Sequence, residues 1–292
     1  MGFSSQIRYV LLFTVLTLFL LAVGYIVSYA LGVPPIGILF FMLGISLVMN
    51  LVSYYWGPQM LLRISHVKLV EPTEYPALYS LLEEVSQQAG VPTPRLGIVN
   101  QPQPNAFATG RGKKNSYVVV TSGLLRIMDR DELRAVLGHE VGHIVHQDMA
   151  LSTAAATVAT AITYMVDILF FSLLFGGGRR DGAGGLGLFT VLLAPIAASM
   201  VQLAISRSRE FYADEEGAKL TGRPDWLISA LRKIDEYIRR GAPLNVSPTT
   251  SSMWIANPFR GGLGDLFSTH PSTEKRIRRL QELARRMNLL MA

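Results

Sequence analysis

The 292-residue chain contains no cysteine. Disulfides, thiolate zinc sites and a thiol nucleophile are therefore excluded. Charge is scarce too: 16% of residues are charged, against 50% hydrophobic. Between Arg8 and Arg63 there is no charged side chain. Two apolar blocks fill that interval, Tyr9–Leu31 and Ile36–Trp56, each long enough to cross a hydrocarbon core of about 30 Å as a helix. Gly32, Pro34 and Pro35 supply the turn, so this part reads as a transmembrane hairpin. A cleaved signal peptide fits less well. The first run is too long for an h-region, no A-x-A site closes it, and a second span follows at once.

Two further apolar blocks lie near Ala150–Phe175 and Leu186–Ile205, around the loop "GGGRRDGAGG". The fourth block holds Pro195, tolerable inside a membrane bundle at the cost of a kink. The count is thus about four transmembrane helices. Arg179 and Arg180 in the glycine loop run against the positive-inside bias, but Gly57–Gln147 and the tail after Ser206 hold most of the Lys and Arg. Both soluble segments and both termini of this multi-pass protein are accordingly expected in the cytoplasm. The expected divisions are a hairpin over 1–56, a first soluble part over 57–148, a second hairpin over 149–206 and a second soluble part over 207–292. Asp167, the lone charge in the third block, suits snorkelling or a polar helix partner as well as a function.

The net charge of +6 would suit nucleic acid, yet no basic and aromatic stripe of the strand-binding type accompanies it. A membrane protein obeying the positive-inside rule is basic for topological reasons alone. The expected partner at this point is a lipid bilayer, not nucleic acid.

The soluble parts read as mixed α and β. "EYPALYSLLEEVSQQAG" puts Leu78, Leu81, Leu82 and Val85 at helical spacing, with Gly90 as the C′ residue. "PRLGIVN" and "SYVVVTS" look like short buried strands. The Pro- and Gly-bearing segment between them makes any strand around Asn105–Thr109 an edge strand. Asp129 with Glu132 forms a capping box that opens the next helix, which is expected to run through its histidines directly into the third span. Downstream, "SRSREFYADEEGAKL" and "RPDWLISALRKIDEYIRR" are helical. The 241–264 segment, with Met253, Trp254, Ile255 and Phe259, suits a packed loop, a flap over a cleft or a membrane-surface contact alike. The last helix sets Ile277, Leu280, Leu283, Ala284 and Met287 on one face for docking onto the domain.

His139, Glu140 and His143 form H-E-x-x-H. Residues i and i+4 share a helix face, so both imidazoles can reach one Zn²⁺ at about 2.0–2.1 Å. Glu140 lies to the side, where it can deprotonate a water without ligating the metal. His146 shares the helix, but three histidines approaching from one side cannot surround a tetrahedral centre, so the third ligand must come from another element. In "SREFYAD", Glu210 and Asp214 stand at i and i+4 on a helix that leaves the membrane as the first one enters. His143 stands about 10 Å and Glu210 some 7 Å beyond the apolar boundary, so the two heights agree. Glu210 then completes His₂Glu around one zinc per chain, and Asp214 can hydrogen-bond a ligating imidazole. An ion pair of Glu210 with Arg207 or Arg209 is the competing reading. On this view the membrane helix pair clamps the two halves of the site.

"HEVGH", the downstream "SREFYAD", the spans between them and the upstream "NAFATG" together resemble the HtpX-type membrane zinc metalloproteases, relatives of the CAAX prenyl proteases. The resemblance covers nearly the whole chain. It implies an α+β membrane protein with a zincin-like cytoplasmic catalytic domain, acting as an endopeptidase in quality control of misfolded membrane proteins. It assigns zinc to His139, His143 and Glu210, and the general base to Glu140. Asn105, Ala106 and Phe107 would belong to a substrate-binding edge strand, with Asn105 holding a substrate amide. "THPSTEKRI" resembles the family's His-Pro segment and would set His270 and Arg276 near the tetrahedral intermediate; otherwise His270 is a helix-start residue. A metal-binding transporter or sensor, or a structural zinc clamp, would need neither the carboxylate beside His139 nor "NAFATG".

Overall fold

The computed structural model describes residues 3–147, 149, 152–154, 207–240, 255 and 271–287. Helices α1 (Phe3–Leu31) and α2 (Pro35–Ile64) form a hairpin, turned at Gly32 with φ +65°. Pro35 opens α2 at a position where its missing N–H costs no hydrogen bond. The two helices are tied by polar side chains within the apolar surface: Thr17 and Ser46 hydroxyls lie 2.6 Å apart, with the Asn50 amide donating to both. Among the described residues α2 is long and apolar enough to cross a bilayer, and α1 carries a shorter apolar stretch, Val10–Tyr25. The second expected hairpin, with Asp167 and the glycine loop, lies outside the described residues.

Instead of ending near Trp56, α2 continues about two turns further, through Pro58. The reason is packing. Leu61 and Leu62 are buried against Val99, Phe107 and Val119, so the end of the hairpin is a support for the sheet.

That sheet contains β1 (Lys68–Leu69), β2 (Arg95–Val99), β3 (Ala106–Gly112) and β4 (Asn115–Thr121) in the order β1-β2-β4-β3. β2 and β4 run parallel, while β3 pairs antiparallel with β4 and stands at the edge, as the composition of its segment predicts. The first soluble helix, α3 (Pro76–Gln88), buries Leu78, Leu81, Leu82 and Val85 and is followed by Gly90 at φ +63°. A short α4 (Ser122–Ile127) leads to α5 (Arg130–His146), whose start is closed by the Asp129–Glu132 capping box. Glu132 also accepts from Ser229 Oγ at 2.7 Å and Lys233 Nζ at 2.5 Å, anchoring α5 to a later helix.

α5 does not run unbroken into a third span. It ends at His146, because Gln147 adopts the left-handed conformation (φ 54°) and its N–H caps the carbonyls of His143 and Ile144. The chain is helical again at 152–154, where Thr153 Oγ1 meets Thr109 Oγ1 of β3 at 2.8 Å and the Ala154 carbonyl accepts from Ser53 Oγ of α2.

Three helices complete the domain: α6 (Arg207–Thr221), α7 (Pro224–Arg239) and α8 (Thr273–Arg286). α8 docks through Leu280, Leu283 and Ala284, as its spacing predicts. One core joins Leu82, Val85 and Leu96 to Leu137, Val141, Leu231 and Leu280, so the parts of the chain before and after 149–206 fold together. Leu231 on α7 is fully buried. Leu231→Ala is expected to lower unfolding stability by about 2–5 kcal/mol, read from denaturant titration of the detergent-solubilised protein.

Candidate metal centre and active site

α5 and α6 cross where both lack side chains. A Cβ added to Gly217 would stand 2.7 Å from the backbone N of His139, and one on Gly142 would stand 3.1 Å from the Ala213 carbonyl. A Cβ on Gly138 would meet the Gly217 carbonyl at 3.2 Å. Ordinary helix pairs keep their axes about 8–10 Å apart, set by the side chains between them. With glycine on both sides of the crossing, the backbones themselves make contact.

That approach brings three side chains to one point. The Nε2 atoms of His139 and His143 are 3.2 Å apart. Glu210 on α6 reaches both, with Oε2 3.7 Å from His139 Nε2 and Oε1 3.6 Å from His143 Nε2. Ligands at 2.0–2.1 Å around a tetrahedral ion lie about 3.3–3.4 Å from one another, so this triangle has the right size for one. His139, His143 and Glu210 form the one such three-residue cluster among the described residues. His146 is not part of it. It lies 3.9 Å from Glu216 at a more exposed position.

Behind the triangle, Asp214 Oδ1 stands 3.0 Å from His139 Nδ1. A proton on Nδ1 satisfies that contact and leaves Nε2 with its lone pair facing the cluster. Arg276 of α8 then grips Asp214 with Nη2 and Nε at 2.6 and 2.8 Å, while its Nη1 donates to the carbonyl of Ile255. Nη1 also lies 3.7 Å from Glu210 Oε2. Arg276 was expected near the tetrahedral intermediate; its guanidinium lies behind His139, in a residue 1% exposed.

The electrostatics follow from burial. Glu140 is pushed up to about 7, first by desolvation and further by Glu210, although His143, Arg276 and the Ala108 N–H oppose the shift. Asp214 is also desolvated, but the charge and hydrogen bonds of Arg276, with the bond to His139, hold it below the usual carboxylate range. Arg276 is raised despite its burial, because Asp214, Glu210 and Glu140 surround it. For His139, burial outweighs the Asp214 contact, so the imidazole is depressed and stays neutral, the form that binds metal.

Glu140 points towards β3, where the Ala108 N–H bonds its carboxylate. The parity of the strand explains this. The Asn105 carbonyl accepts from Thr121 N at 3.0 Å, so alternate residues Asn105, Phe107 and Thr109 turn their backbones to β4. Ala106 and Ala108 therefore turn theirs outward. Phe107 packs on the α2 side and Ala106 and Ala108 on the α5 side. The side chain of Asn105 is not open: its Oδ1 accepts the Ile255 N–H at 3.0 Å. His270 lies outside the described residues. Ala108 and the glycine seam were not singled out as site features from the sequence, and Ile255 entered there as part of an apolar loop; the seam had a signal, Gly138 and Gly142 at i and i+4 with Gly217 beyond.

Comparison with known proteins agrees with this geometry. A family model for peptidase family M48 matches residues 72–284. The chain belongs to that family. It is a metallopeptidase. Among curated relatives, a protease HtpX homolog of Pyrococcus abyssi is 44% identical over 294 residues, covering 99% of this chain and 100% of the relative. One from Aquifex aeolicus is 44% identical over 248 residues, 82% of each chain. The solved structure of S. mikatae Ste24p shares the fold with a TM-score of 0.50 at 21% identity. The likeness covers 95% of this chain but 65% of that one. In this M48 chain the glycine seam makes a direct prediction. Gly217→Val must separate α5 from α6, costing about 1–3 kcal/mol of stability and at least about tenfold in metal affinity. Gly112→Ala, with open space around it, is expected to change neither. Metal titration by competition with a chromophoric chelator reads both.

Proposed function

We propose that the protein is a zinc-dependent integral-membrane endopeptidase, with His139, His143 and Glu210 as ligands and Glu140 as general base. Asp214 fixes the tautomer of His139 and Arg276 fixes Asp214. The observation that carries the reading is the three-ligand triangle with a buried, non-ligating carboxylate between it and the edge of β3. Zinc supplies a Lewis acid for the scissile carbonyl and lowers the pKa of the attacking water. The residues of the chain do the rest. Glu140 takes the proton of the water and delivers it to the leaving amine. An extended peptide pairs with the outward backbone of Ala106 and Ala108 as an added strand, which also draws the Ala108 N–H away from Glu140.

Membrane attachment supports polypeptide substrates that are themselves membrane proteins, as in the quality control of damaged ones. The charge-free hairpin and the basic segments that flank the apolar blocks support four spans in the cytoplasmic membrane, with the catalytic parts and both termini inside.

The test separates base from ligand. Glu140→Gln is expected to keep zinc near one per chain while cleavage falls by at least about 10²–10⁴-fold. Glu210→Ala is expected to lose zinc, and His146→Ala to keep both zinc and activity. Elemental analysis and a fluorogenic peptide assay with and without chelator read these outcomes. An active, zinc-replete Glu210→Ala enzyme would sink the ligand assignment.

A further inference from the structure

β3 and β4 are joined by Lys113 and Lys114, the residues between the paired Gly112 and Asn115. A turn this short is best served by Gly, Asn or Asp, so its geometry does not call for lysine. The sheet around it is one-sided in charge. From Val85 to Met128 the chain carries Arg95, Arg111, Lys113, Lys114 and Arg126 but no Asp or Glu. Arg126 follows β4, at the far end of the strands. Arg95 opens β2 in register with Tyr117, so it joins Arg111, Lys113 and Lys114 at the hairpin end. Glu71 and Glu74 follow β1 at the opposite edge of the sheet, and Glu74 is taken by Lys68 at 2.6 Å. Among the described residues none of the bases at the hairpin end has an ion-pair partner.

The level of this end on α2 gives it a partner. The Arg111 guanidinium lies 6.0 Å from the centre of the Tyr55 ring, within reach of a cation–π contact. Tyr55 meets Tyr54 and Trp56 edge-on, at centroid distances of 5.1 and 6.0 Å. These aromatics close the second apolar block, and Tyr55 and Trp56 are 47% and 57% exposed. Such a cluster at the end of an apolar helix marks a membrane–water boundary, where amphipathic rings sit among headgroups. Two lengths agree with that level. From Tyr55 to Leu62 is about 10 Å along α2. From Arg111 to Phe107, which packs on Leu61 and Leu62, is about 13 Å along β3. The strands therefore rise nearly along α2, with the basic hairpin at their foot.

We propose that the β3–β4 hairpin rests on the bilayer surface and binds anionic lipid headgroups through Arg111, Lys113 and Lys114. This placement rests on α2 spanning the membrane, as read above, and does not depend on the peptidase chemistry. An anionic headgroup carries a phosphate whose charge no amine of its own cancels, and it pairs with guanidinium and ammonium donors. Each Lys or Arg near an anionic leaflet is worth about fivefold in headgroup enrichment, an attraction that decays within a Debye length. The hairpin meets that range because Tyr55 fixes it at the boundary. The contact also sets the stance of the catalytic residues. Ala108, whose N–H meets Glu140, stands three residues up β3 from Arg111, so the carboxylate is held about 10 Å along the strand from the headgroups.

The chain lacks cysteine, so Asn115→Cys, at an exposed position beside the turn, accepts a single fluorophore. The labelled full-length protein is placed in phosphatidylcholine vesicles with and without phosphatidylglycerol, each holding the same fraction of headgroup-nitroxide lipid. Phosphatidylglycerol is expected to increase quenching of the label, and high salt to cancel the increase. Lys113→Gln with Lys114→Gln is expected to weaken the lipid response by about fivefold or more, whereas Lys113→Arg with Lys114→Arg keeps it. Equal quenching in the two lipids, or an unchanged response in the Gln pair, would overturn the proposal. Loss of the response in the Arg pair would do the same, because charge would then not be its cause. A label that ignores phosphatidylglycerol but responds to a free glutamate-rich peptide would assign the hairpin to a polypeptide instead. Protein that fails to float with vesicles of either composition would overturn the spanning of α2, and the lipid contact with it. None of these readouts involves cleavage, so the peptidase reading is tested separately.

Discussion

Everything at the active centre depends on how closely two helix backbones approach. An H-E-x-x-H helix offers one face and two imidazoles, and nothing further along it can reach the opposite side of an ion. The missing ligand has to arrive on a second helix, and Glu210 has a short side chain. Only where Gly138 and Gly142 of α5 meet Gly217 and Ala213 of α6 can that carboxylate stand within 3.7 Å of both imidazoles. The seam lies in the part of α5 before Gln147, so the clamp is a contact of the folded domain.

A second constraint is electrostatic. Glu140, Glu210 and Asp214 are each at most 5% exposed, and Arg276 is the cation buried among them. Three negative charges and one positive leave two negative charges in a desolvated space. Without a counterion such a site relieves itself by binding a proton, and Glu140, pushed up to about 7, is the group that responds. A divalent cation held by His139, His143 and Glu210 would offset the negative charge gathered there. The donor set and the charge count thus point to the same occupant. Arg276 has a double effect: it keeps Asp214 ionised, so that His139 presents Nε2, and its remaining donor is spent on a peptide carbonyl.

What could be read from the sequence was whatever has a local cause. The capping box at Asp129, the apolar face of α3, the edge status of β3 and the i, i+4 geometry of His139 and His143 each follow from residues within a turn or two of one another. Glu210 was reached by elimination, because one helix has one face, and Asp214 by the same spacing one turn on. The misplaced features all depend on contacts remote in sequence. Whether α2 stops at Trp56 is decided by Leu61 and Leu62 meeting Phe107 and Val119. That α5 stops at His146 is decided by a left-handed Gln147, which glutamine's propensity does not announce. Arg276 was brought to the site by resemblance alone, and its grip on the buried Asp214 depends on a contact 62 residues away in sequence. The partner of Asn105 lies 150 residues away.

These long-range contacts converge on β3, and its register carries their consequence. The Asn105–Thr121 bonds set which residues face β4, and thereby which face outward. Phe107 then points to α2, Ala106 and Ala108 point to α5, and the Ala108 N–H meets the Glu140 carboxylate. A slip of one residue would exchange all of these at once, because side chains and backbone groups alternate with the same period. Phe107 would be driven into the helix that carries the histidines, and the edge would present the wrong peptide groups to substrate and base. Thr121 therefore sets the register of the strand that faces Glu140. It holds Asn105, caps α4 and accepts or donates in five hydrogen bonds through a single residue.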